Sequence, residues 1–360
     1  MKRVAVVGAG GFIGHRLTEY LILNDIAQPR AVVRSIRGLA RVSRFELESR
    51  VADARDEAAL TNAVRETDAV FHCVVGDFKT VVESIESIYR ACRQAKVQRL
   101  VYLSSAAING YDIEPGTDET SPLTIRGRDG YQRSKILAEQ RLSDLSRDGA
   151  VETVILRPCV VYGPRSTHWT LRIAQDLLAS KSFLVNAGTG ICNAVFVDNL
   201  VEAMVLCADH PAAPGHTFFV SDSELVTWRS FYESVGEAIG VDLATVQFIH
   251  DSEASAVPVG ERITALVFAA ARSAIARKLV ARLKTNRNGQ AAIAAAKLYL
   301  DVASTNKPLP DPQLIAMQTC RSQLNTERIE RAIGYHPRWS FRQGAEKSAL
   351  WLQFALGCTR

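Results

Sequence analysis

The sequence lacks the features that mark membrane-spanning, disulfide-linked or metal-binding chains. Its longest apolar run near the C-terminal third covers only the nine residues 263–271, whereas a transmembrane helix needs about 20. The seven cysteines are scattered and form no C-x-x-C pair, which predicts reduced thiols and no metal site. Met1, Lys2 and Arg3 lead straight into a short apolar run and glycines, so we expect no signal peptide and a cytoplasmic protein.

The composition is that of a globular chain with an uneven charge distribution. The 360 residues are 47% hydrophobic and 22% charged, which fits one large domain or two unequal ones and excludes a disordered or collagen-like chain. Residues 261–287 carry a net charge of +6, so the rest of the chain, with +5 in total, sums to −1. We expect a helical pair with solvated charges here, with peripheral membrane contact or attraction of an acidic substrate as alternatives. Nucleic acid is not expected, because no aromatic platform accompanies the charges.

Short apolar runs alternate with longer amphipathic stretches through the first 160 residues. This alternation predicts an α/β protein with a Rossmann-type, doubly wound parallel sheet. A nucleotide-binding domain is predicted over 1–165 plus returning strands at about 195–222. A smaller, mostly helical substrate lobe is predicted over 166–194 and 223–360, with a basic helical insertion at about 250–310. The predicted strands are 4–7, 30–34, 50–53, 69–75, 99–104 and 151–156, and the predicted helices 12–24, 57–66, 79–95 and 131–147.

A glycine-rich run stands directly between the first predicted strand and the first predicted helix. Glycines in such a turn allow a sharp bend, a close approach of backbone to a pyrophosphate and tight packing of the helix, and the phosphates then lie at the positive end of the helix dipole. The spacing is G-x-x-G-x-x-G rather than the common G-x-G-x-x-G. We predict dinucleotide binding by Gly8, Gly10, Gly11, Phe12, Ile13 and Gly14.

The residues after the second predicted strand bear on which dinucleotide is bound. An acidic residue there would bind the ribose 2′-hydroxyl of NAD, whereas arginine suits the 2′-phosphate of NADP. The strand ends at Arg34, Arg37 follows, and there is no acid. NADP is therefore favoured, with NAD as the alternative. Asp53, which closes the third strand, is predicted either to accept a hydrogen bond from the adenine amino group or to cap a helix.

A tyrosine and a lysine four residues apart indicate acid–base chemistry. Tyr131 and Lys135 lie on one face of a predicted helix. A free phenol has a pKa of about 10, and a neighbouring ammonium lowers it toward neutrality. Ser105 follows the fifth predicted strand, at the sheet edge where ligands bind in doubly wound folds. We predict that Ser105 holds the substrate oxygen while Tyr131 moves the proton.

These motifs together resemble the extended short-chain dehydrogenase/reductases, the NAD(P)-dependent epimerase/dehydratase family. The resemblance implies the family's fold and its Ser-Tyr-Lys chemistry at Ser105, Tyr131 and Lys135, with Lys135 also holding the nicotinamide ribose. Further cofactor contacts implied by it are Ala54, Cys73, Val74, Val75, Ser104, Pro158 and Val161. The matching motifs are Gly8-x-x-Gly11-x-x-Gly14, Asp53, Phe71-His72, Ser104-Ser105, Tyr131-x-x-x-Lys135, Arg157-Pro158-x-x-Val161-Tyr162-Gly163-Pro164, Phe196-Val197-Asp198-Asn199 and Gly334-Tyr335-His336-Pro337.

Departures from the family pattern reduce the number of reactions that the chain is expected to catalyse, but they do not identify the substrate. Ala106 and Ala107 stand where sugar dehydratases carry an Asp-Glu pair, so dehydration is not expected. Val160 and Cys192 replace an asparagine and an arginine that contact the diphosphate of nucleotide sugars, and Arg165 is one candidate substitute. Candidate substrate residues are thus Ala106, Val160, Arg165 and Cys192.

Three functions are left open by these residues. An epimerase or oxidoreductase of a nucleotide sugar or glycan precursor is favoured on family frequency. A ketone reductase or hydroxysteroid-type dehydrogenase is the alternative, and a non-catalytic cofactor sensor or scaffold is the rival of another class. The expected partners are a small-molecule substrate and a second copy of the chain in a homodimer.

Overall fold

The computed structural model describes residues 1–123, 130–250 and 311–357. The predicted basic segment lies outside these ranges. The helices are α1 (Phe12–Leu23), α2 (Glu57–Val64), α3 (Phe78–Gln94), α4 (Gly130–Leu145), α5 (Arg172–Leu178), α6 (Val197–Asp209), α7 (Trp228–Ile239), α8 (Pro312–Thr319), α9 (Glu327–Ile333) and α10 (Phe341–Leu356). The strands are β1 (Arg3–Val7), β2 (Gln28–Val33), β3 (Ser49–Val51), β4 (Ala69–His72), β5 (Arg99–Leu103), β6 (Glu152–Pro158), β7 (Val160–Tyr162), β8 (Phe183–Val185), β9 (Ala194–Phe196), β10 (Thr217–Val220) and β11 (Gln247–Ile249).

Seven strands form one parallel sheet in the order β10-β6-β5-β4-β1-β2-β3. The strand order reverses at β1, which lies between β4 and β2. In open sheets of this kind, ligands bind outside the carboxyl ends of the strands at the reversal. The predicted Rossmann-type parallel sheet is confirmed.

The sheet is covered on both faces, because successive side chains of each strand point to opposite sides. In β1, Val4 and Val6 pack into one core cluster, while Ala5 and Val7 pack into the other, under α2, α3 and α4. Buried parallel strands accordingly read as continuous apolar runs.

The predicted strand ends differ from the observed ones by up to three residues, most of all in β4. The apolar run 69–75 predicts a strand to Val75, but β4 ends at His72, since after Cys73 the chain passes over Gly8 and leaves the sheet. Of the returning strands predicted at about 195–222, β10 joins the parallel sheet, whereas β9 pairs with β7 outside it and is followed at once by α6. At this change from strand to helix, the N–H of Phe196, the N-cap residue of α6, donates to Asp222 Oδ2 at 2.9 Å.

Asn199 on α6 is hydrogen-bonded to the chain segment that precedes α10. The Asn199 amide nitrogen donates to Asp222 Oδ1 at 2.7 Å and to the Trp339 carbonyl at 2.9 Å. Its oxygen accepts from the N–H groups of Arg338 at 3.1 Å and Trp339 at 2.9 Å. The segment before α10 is thereby fastened to the start of α6.

The main core cluster runs from the sheet into the predicted substrate lobe, since it contains Val6, Trp228 and Leu352 alike. The boundaries predicted for the two lobes stay a prediction. Among the described residues, no helix is long and apolar enough to cross a membrane.

Candidate active site

Four neighbouring strands bring the predicted site residues to one edge of the sheet. The register places Val7 beside His72, His72 beside Tyr102 and Leu103 beside Leu156. The residues that follow these strands therefore stand side by side at the carboxyl edge. They are Gly8 after β1, Cys73, Val74 and Val75 after β4, Ser104 and Ser105 after β5, and Pro158 at the end of β6.

The glycine loop is packed too tightly to accept side chains. Gly8 has a φ of +91°, and a Cβ there would lie 2.9 Å from the carbonyl oxygen of Cys73. A Cβ on Gly10 would lie 2.7 Å from the carbonyl oxygen of Gly38, and one on Gly14 would overlap that of Gly8. These glycines bring β1, α1 and the turn after β2 into backbone contact.

The beginning of α1 has the geometry of a phosphate site. Gly11 is the N-cap residue, and in the described ranges no side chain caps the first turn. Phe12 and Ile13 open the helix, so their amides belong to the unpaired group at a helix N-terminus, where an anion is stabilised by the N–H groups and the dipole. The loop fits the pyrophosphate of a dinucleotide.

Three arginines follow β2 beside this loop. Arg34 and Arg37 are exposed, Arg37 on the short 3-10 turn Ile36–Arg41. Arg41, which the sequence interpretation missed, donates from Nη1 to the Gly10 carbonyl at 3.3 Å. The turn therefore carries cations to the loop, as binding of a 2′-phosphate requires.

Asp53 is paired with an arginine and does not cap a helix. Its carboxylate accepts from Arg55 Nε and Nη2, both at 3.0 Å, and from the Arg55 N–H at 2.9 Å. These hydrogen bonds to Arg55 hold the pKa of Asp53 low, at about 2. The cap of α2 is Asp56, which accepts from the Ala59 N–H at 3.0 Å. The capping alternative for Asp53 was therefore wrong, because the N-cap residue of α2 is Asp56, three residues further along the chain.

The two serines after β5 have different surroundings. The Ser104 side chain is buried, and its N–H donates to the Leu156 carbonyl at 2.7 Å. Ser105 is half-buried, and its Oγ accepts from the Ala107 N–H at 3.2 Å. Accepting this bond uses a lone pair of the Ser105 oxygen and leaves the hydroxyl hydrogen able to donate to a ligand oxygen.

Tyr131 and Lys135 lie in the first turns of α4 and differ strongly in burial. The Tyr131 side chain is 39% exposed, whereas that of Lys135 is 1% exposed. Lys135 Nζ donates to the Leu103 carbonyl at 2.7 Å, reaches Tyr102 Oη at 3.5 Å and lies 5.0 Å from the centre of the Tyr102 ring. The ammonium is thus anchored on β5, two residues before Ser105, and Tyr131 lies one helical turn before Lys135 on α4.

Burial shifts the pKa values of Lys135 and His72. Desolvation lowers the pKa of Lys135 from its ordinary 10.5 to about 8, against a raising effect of the Glu139 carboxylate. Desolvation, with Lys135 nearby, also lowers the pKa of the buried His72 to about 3. The imidazole is therefore neutral at pH 7, whereas Lys135 is mainly protonated.

Three of the four candidate substrate residues contribute no charge. Ala106 is buried in a small apolar cluster with Phe219 and Leu324. Val160 and Cys192 are both buried in the main core. The fourth, Arg165, has a φ of +70°, and its Nη1 lies 3.1 Å from His15 Nε2 on α1.

Glu139 and Gln132 belong to the same region, and the sequence interpretation did not single them out. The Glu139 carboxylate accepts from Arg157 at 2.7 Å in a buried ion pair. Its signal was readable, since Tyr131, Lys135 and Glu139 repeat every four residues. Gln132 gives no such signal, because its partner Ala107 is 25 residues away in sequence.

A sequence profile decides the family. The profile of the NAD dependent epimerase/dehydratase family matches residues 4–221. The chain belongs to this family. The resemblance to extended short-chain dehydrogenase/reductases is confirmed, and the homologues include NAD-dependent epimerases, dehydratases and reductases.

Individual relatives are similar at a moderate level. The 2-alkyl-3-oxoalkanoate reductase of Shewanella oneidensis is 28% identical over 62% of this chain and 62% of its own length, so the chain spans less than two thirds of that relative. The 3-beta-hydroxysteroid dehydrogenase of Mycolicibacterium neoaurum is 26% identical, covering 69% of this chain and 73% of its own. The UDP-glucose 4-epimerase of Vibrio cholerae is 28% identical, covering 68% and 78%.

A solved structure shows the same fold over almost the whole length. The dTDP-glucose 4,6-dehydratase DesIV of Streptomyces venezuelae, with NAD and TYD bound, has a TM-score of 0.69 and 20% identity. The match covers 99% of this chain and 98% of the dehydratase.

Proposed function

We propose that the protein is an NAD(P)-dependent oxidoreductase that interconverts a secondary alcohol and a ketone. The carrying observation is the Lys135 ammonium, buried and hydrogen-bonded at 2.7 Å to the Leu103 carbonyl, two residues before Ser105 and one helical turn after Tyr131. A buried cation is costly, and a phenolate at Tyr131, one helical turn earlier, would give this one a partner. A non-catalytic sensor has no need of it.

The chain's own groups supply the proton chemistry. Tyr131, as phenolate, takes the hydroxyl proton of the alcohol, or as phenol returns it to the ketone oxygen. Lys135 favours the phenolate by its charge. The Ser105 hydroxyl holds the substrate oxygen. When bound, the nicotinamide supplies or accepts the hydride at the carbinol carbon.

The cofactor is proposed to be NADP, held at the glycine loop with its 2′-phosphate toward Arg34 and Arg37. Arg41 supports the proposal, because its contact with Gly10 brings the turn after β2 against the loop. The Asp53 carboxylate is hydrogen-bonded to Arg55, and no acidic residue occurs between Arg34 and Arg41.

The substrate is proposed to be a ketone or secondary alcohol on a largely apolar skeleton, rather than the nucleotide sugar favoured on family frequency. Ala106, Val160 and Cys192 offer no side chain that pairs with a diphosphate. Such contacts are worth about 1.5–3 kcal/mol each. Two relatives support this choice, since their names specify a 3-oxoalkanoate bearing an alkyl group and a 3-hydroxysteroid. The UDP-glucose 4-epimerase represents the other branch.

A substrate panel tests the proposal. The purified protein is incubated with NADP(H) or NAD(H) and with 2-alkyl-3-oxoalkanoates, 3-hydroxysteroids or UDP-glucose, while the nicotinamide absorbance is followed; product analysis detects epimerisation of the sugar. We expect turnover of an oxoalkanoate or a steroid that Tyr131→Phe removes. Epimerisation of UDP-glucose alone would overturn the substrate proposal, and cofactor binding without any turnover would favour the sensor.

A further inference from the structure

We propose that Gln132 is a positioning residue that holds the turn carrying Ser105 at a fixed distance from the helix carrying Tyr131. The inference rests on the proposed function for its kinetic consequence alone. The Gln132 side chain is fully buried, and its Nε2 donates to the Ala107 carbonyl oxygen at 2.6 Å. A carbonyl can only accept, so the amide nitrogen is the atom that faces it.

Ala107 connects this hydrogen bond to the Ser105 hydroxyl. The residue belongs to the 3-10 turn Ala106–Asn109, and its N–H donates to Ser105 Oγ at 3.2 Å. Its carbonyl accepts from the Gly110 N–H at 3.0 Å as well as from Gln132. Both lone pairs of that oxygen are therefore used, one inside the turn and one by α4. A movement of Ala107 would carry the Ser105 hydroxyl with it.

A second attachment holds the far end of the same turn. Asn109 Oδ1 accepts from Arg157 Nη1 at 3.3 Å, and Arg157 is paired with Glu139 on α4. Gln132 and Glu139 are seven residues apart, close to two helical turns, so both lie on the face of α4 that buries Lys135. The turn is thus fastened to α4 at two points.

The attachment at Gln132 is the one beside the reacting groups. Gln132 directly follows Tyr131, whereas Glu139 acts two turns away through Arg157. Without the amide, the hydrogen bond between α4 and Ala107 is lost, while the attachment at Asn109 stays. A displacement of about 1 Å between reacting groups can cost about 100-fold in rate, so a loosened tether lowers kcat while leaving the cofactor loop unaffected.

The first test replaces Gln132 by methionine, which keeps the length of the side chain and removes the donor. We expect Gln132→Met to lower kcat at least about tenfold, with the dissociation constant of NADP within twofold of wild type. The matched control is Gln140→Met on the exposed face of α4, which should leave kcat unchanged. A Gln132→Met variant with wild-type kcat would overturn the proposal.

The second test uses a pH-dependent replacement. The carboxyl introduced by Gln132→Glu is a donor only when it is protonated. Burial beside a carbonyl raises the pKa of that carboxyl, whereas the Lys135 ammonium on the same face of α4 lowers it. We therefore expect the ratio of kcat in Gln132→Glu to kcat in wild type to rise as the pH is lowered between about 8.5 and 5.5. The corresponding ratio for Gln132→Met should be flat. Equal ratios for the two variants at every pH would contradict a role for the donated hydrogen bond.

A third measurement needs no substrate, so it separates the tether from the proposed reaction. Amide hydrogen exchange in the peptides that cover residues 105–110 should be faster in Gln132→Met than in wild type by about two- to tenfold, and unchanged in Gln140→Met. If no substrate is turned over but this exchange is faster, the reaction proposal fails and the tether stands. Unchanged exchange in Gln132→Met would overturn the tether even in an active enzyme.

Discussion

Asp222, at the end of β10, accepts hydrogen bonds from Asn199 Nδ2 at 2.7 Å and from the Phe196 N–H at 2.9 Å, although it is almost completely buried. The carboxyl group therefore joins the edge of the sheet to the start of α6. Burial raises its pKa from 3.8 to about 7, so the ionised form is held at a cost in the folded protein.

This raised pKa predicts a loss of stability with increasing pH. The stabilising contribution of a neutral Asp222 is fully present below about pH 3.8 and is lost as the pH rises through about 7. The slope is at most about 1.4 kcal/mol per pH unit. The buried His15 and His72, with pKa values lowered to about 4 and 3, act in the opposite direction below pH 6.5, so wild type alone does not isolate the effect.

Asp222→Asn isolates it. An asparagine amide can accept only one of the two hydrogen bonds of Asp222, so the free energy of unfolding falls by about 1–3 kcal/mol at every pH. The variant also has no ionisable group at this position. We expect the difference in free energy of unfolding between wild type and variant to shrink as the pH is raised from 5 to 8, measured by urea unfolding. A difference that stays constant over this range would contradict the raised pKa.

Lys135→Met should separate activity from stability. The substitution removes the cation that favours the Tyr131 phenolate, and we expect kcat to fall by about 100-fold or more. Burial lowers the pKa of Lys135 to about 8, so its charge destabilises the folded protein at pH 7. We therefore expect the free energy of unfolding of Lys135→Met, measured in urea, to fall by no more than the contribution of the lost hydrogen bond to Leu103. In wild type, the contribution of this group to stability rises with pH between about 8 and 10.5.

Tyr131→Phe should remove turnover and preserve binding. The ring keeps its place at the start of α4, but the proton donor is gone, which costs about 100- to 10,000-fold in kcat. NADP affinity, measured by titration calorimetry, should stay within a few-fold of wild type. Activity above about one per cent of wild type would show that another group transfers the proton.

Arg34→Asp should weaken NADP far more than NAD. The change replaces a partner of the 2′-phosphate by a repelling charge, and charge-assisted contacts of this kind are worth about 1.5–3 kcal/mol, or about 10- to 150-fold in affinity. Arg147→Asp, at an exposed position beyond α4, controls for the change in net charge. Unchanged NADP affinity in Arg34→Asp would mean that Arg34 does not contact the phosphate.

Arg157→Met should destabilise the fold through the carboxylate that it leaves behind. Arg157 and Glu139 are both almost fully buried, and Arg157 also donates to the Glu119 carbonyl at 3.0 Å. Removing one partner of a buried pair costs about 3–5 kcal/mol. The double variant Arg157→Met/Glu139→Leu should recover much of this loss in urea unfolding. A double variant no more stable than the single one would show that the other contacts of Arg157 dominate.

Features that depend on neighbours in sequence were predictable. The glycine loop lies between a strand and a helix because an apolar run ends at Gly8 and an amphipathic period begins at Phe12. Tyr131 and Lys135 share a helix because that spacing is one turn. The parallel sheet follows from the alternation of strands and helices.

Features that depend on distant residues were not predictable from one sequence. The hydrogen bond from Arg41 to the Gly10 carbonyl joins residues 31 positions apart, and no local pattern indicates it. Strand β4 ends early because Cys73 meets Gly8, 65 positions earlier in the chain.

The parallel α/β sheet, the glycine loop and the Tyr131–Lys135 pair could be read from the amino-acid order alone, because local spacing and periodicity specify each of them. The folded chain was needed to show that Leu103 anchors Lys135, that Gln132 holds the Ser105 turn and that Asp222 is buried at the start of α6. Each of these depends on a hydrogen bond between residues 23 to 32 positions apart. Such partners are brought together by strand order and helix docking, which the pattern of neighbouring residues does not record.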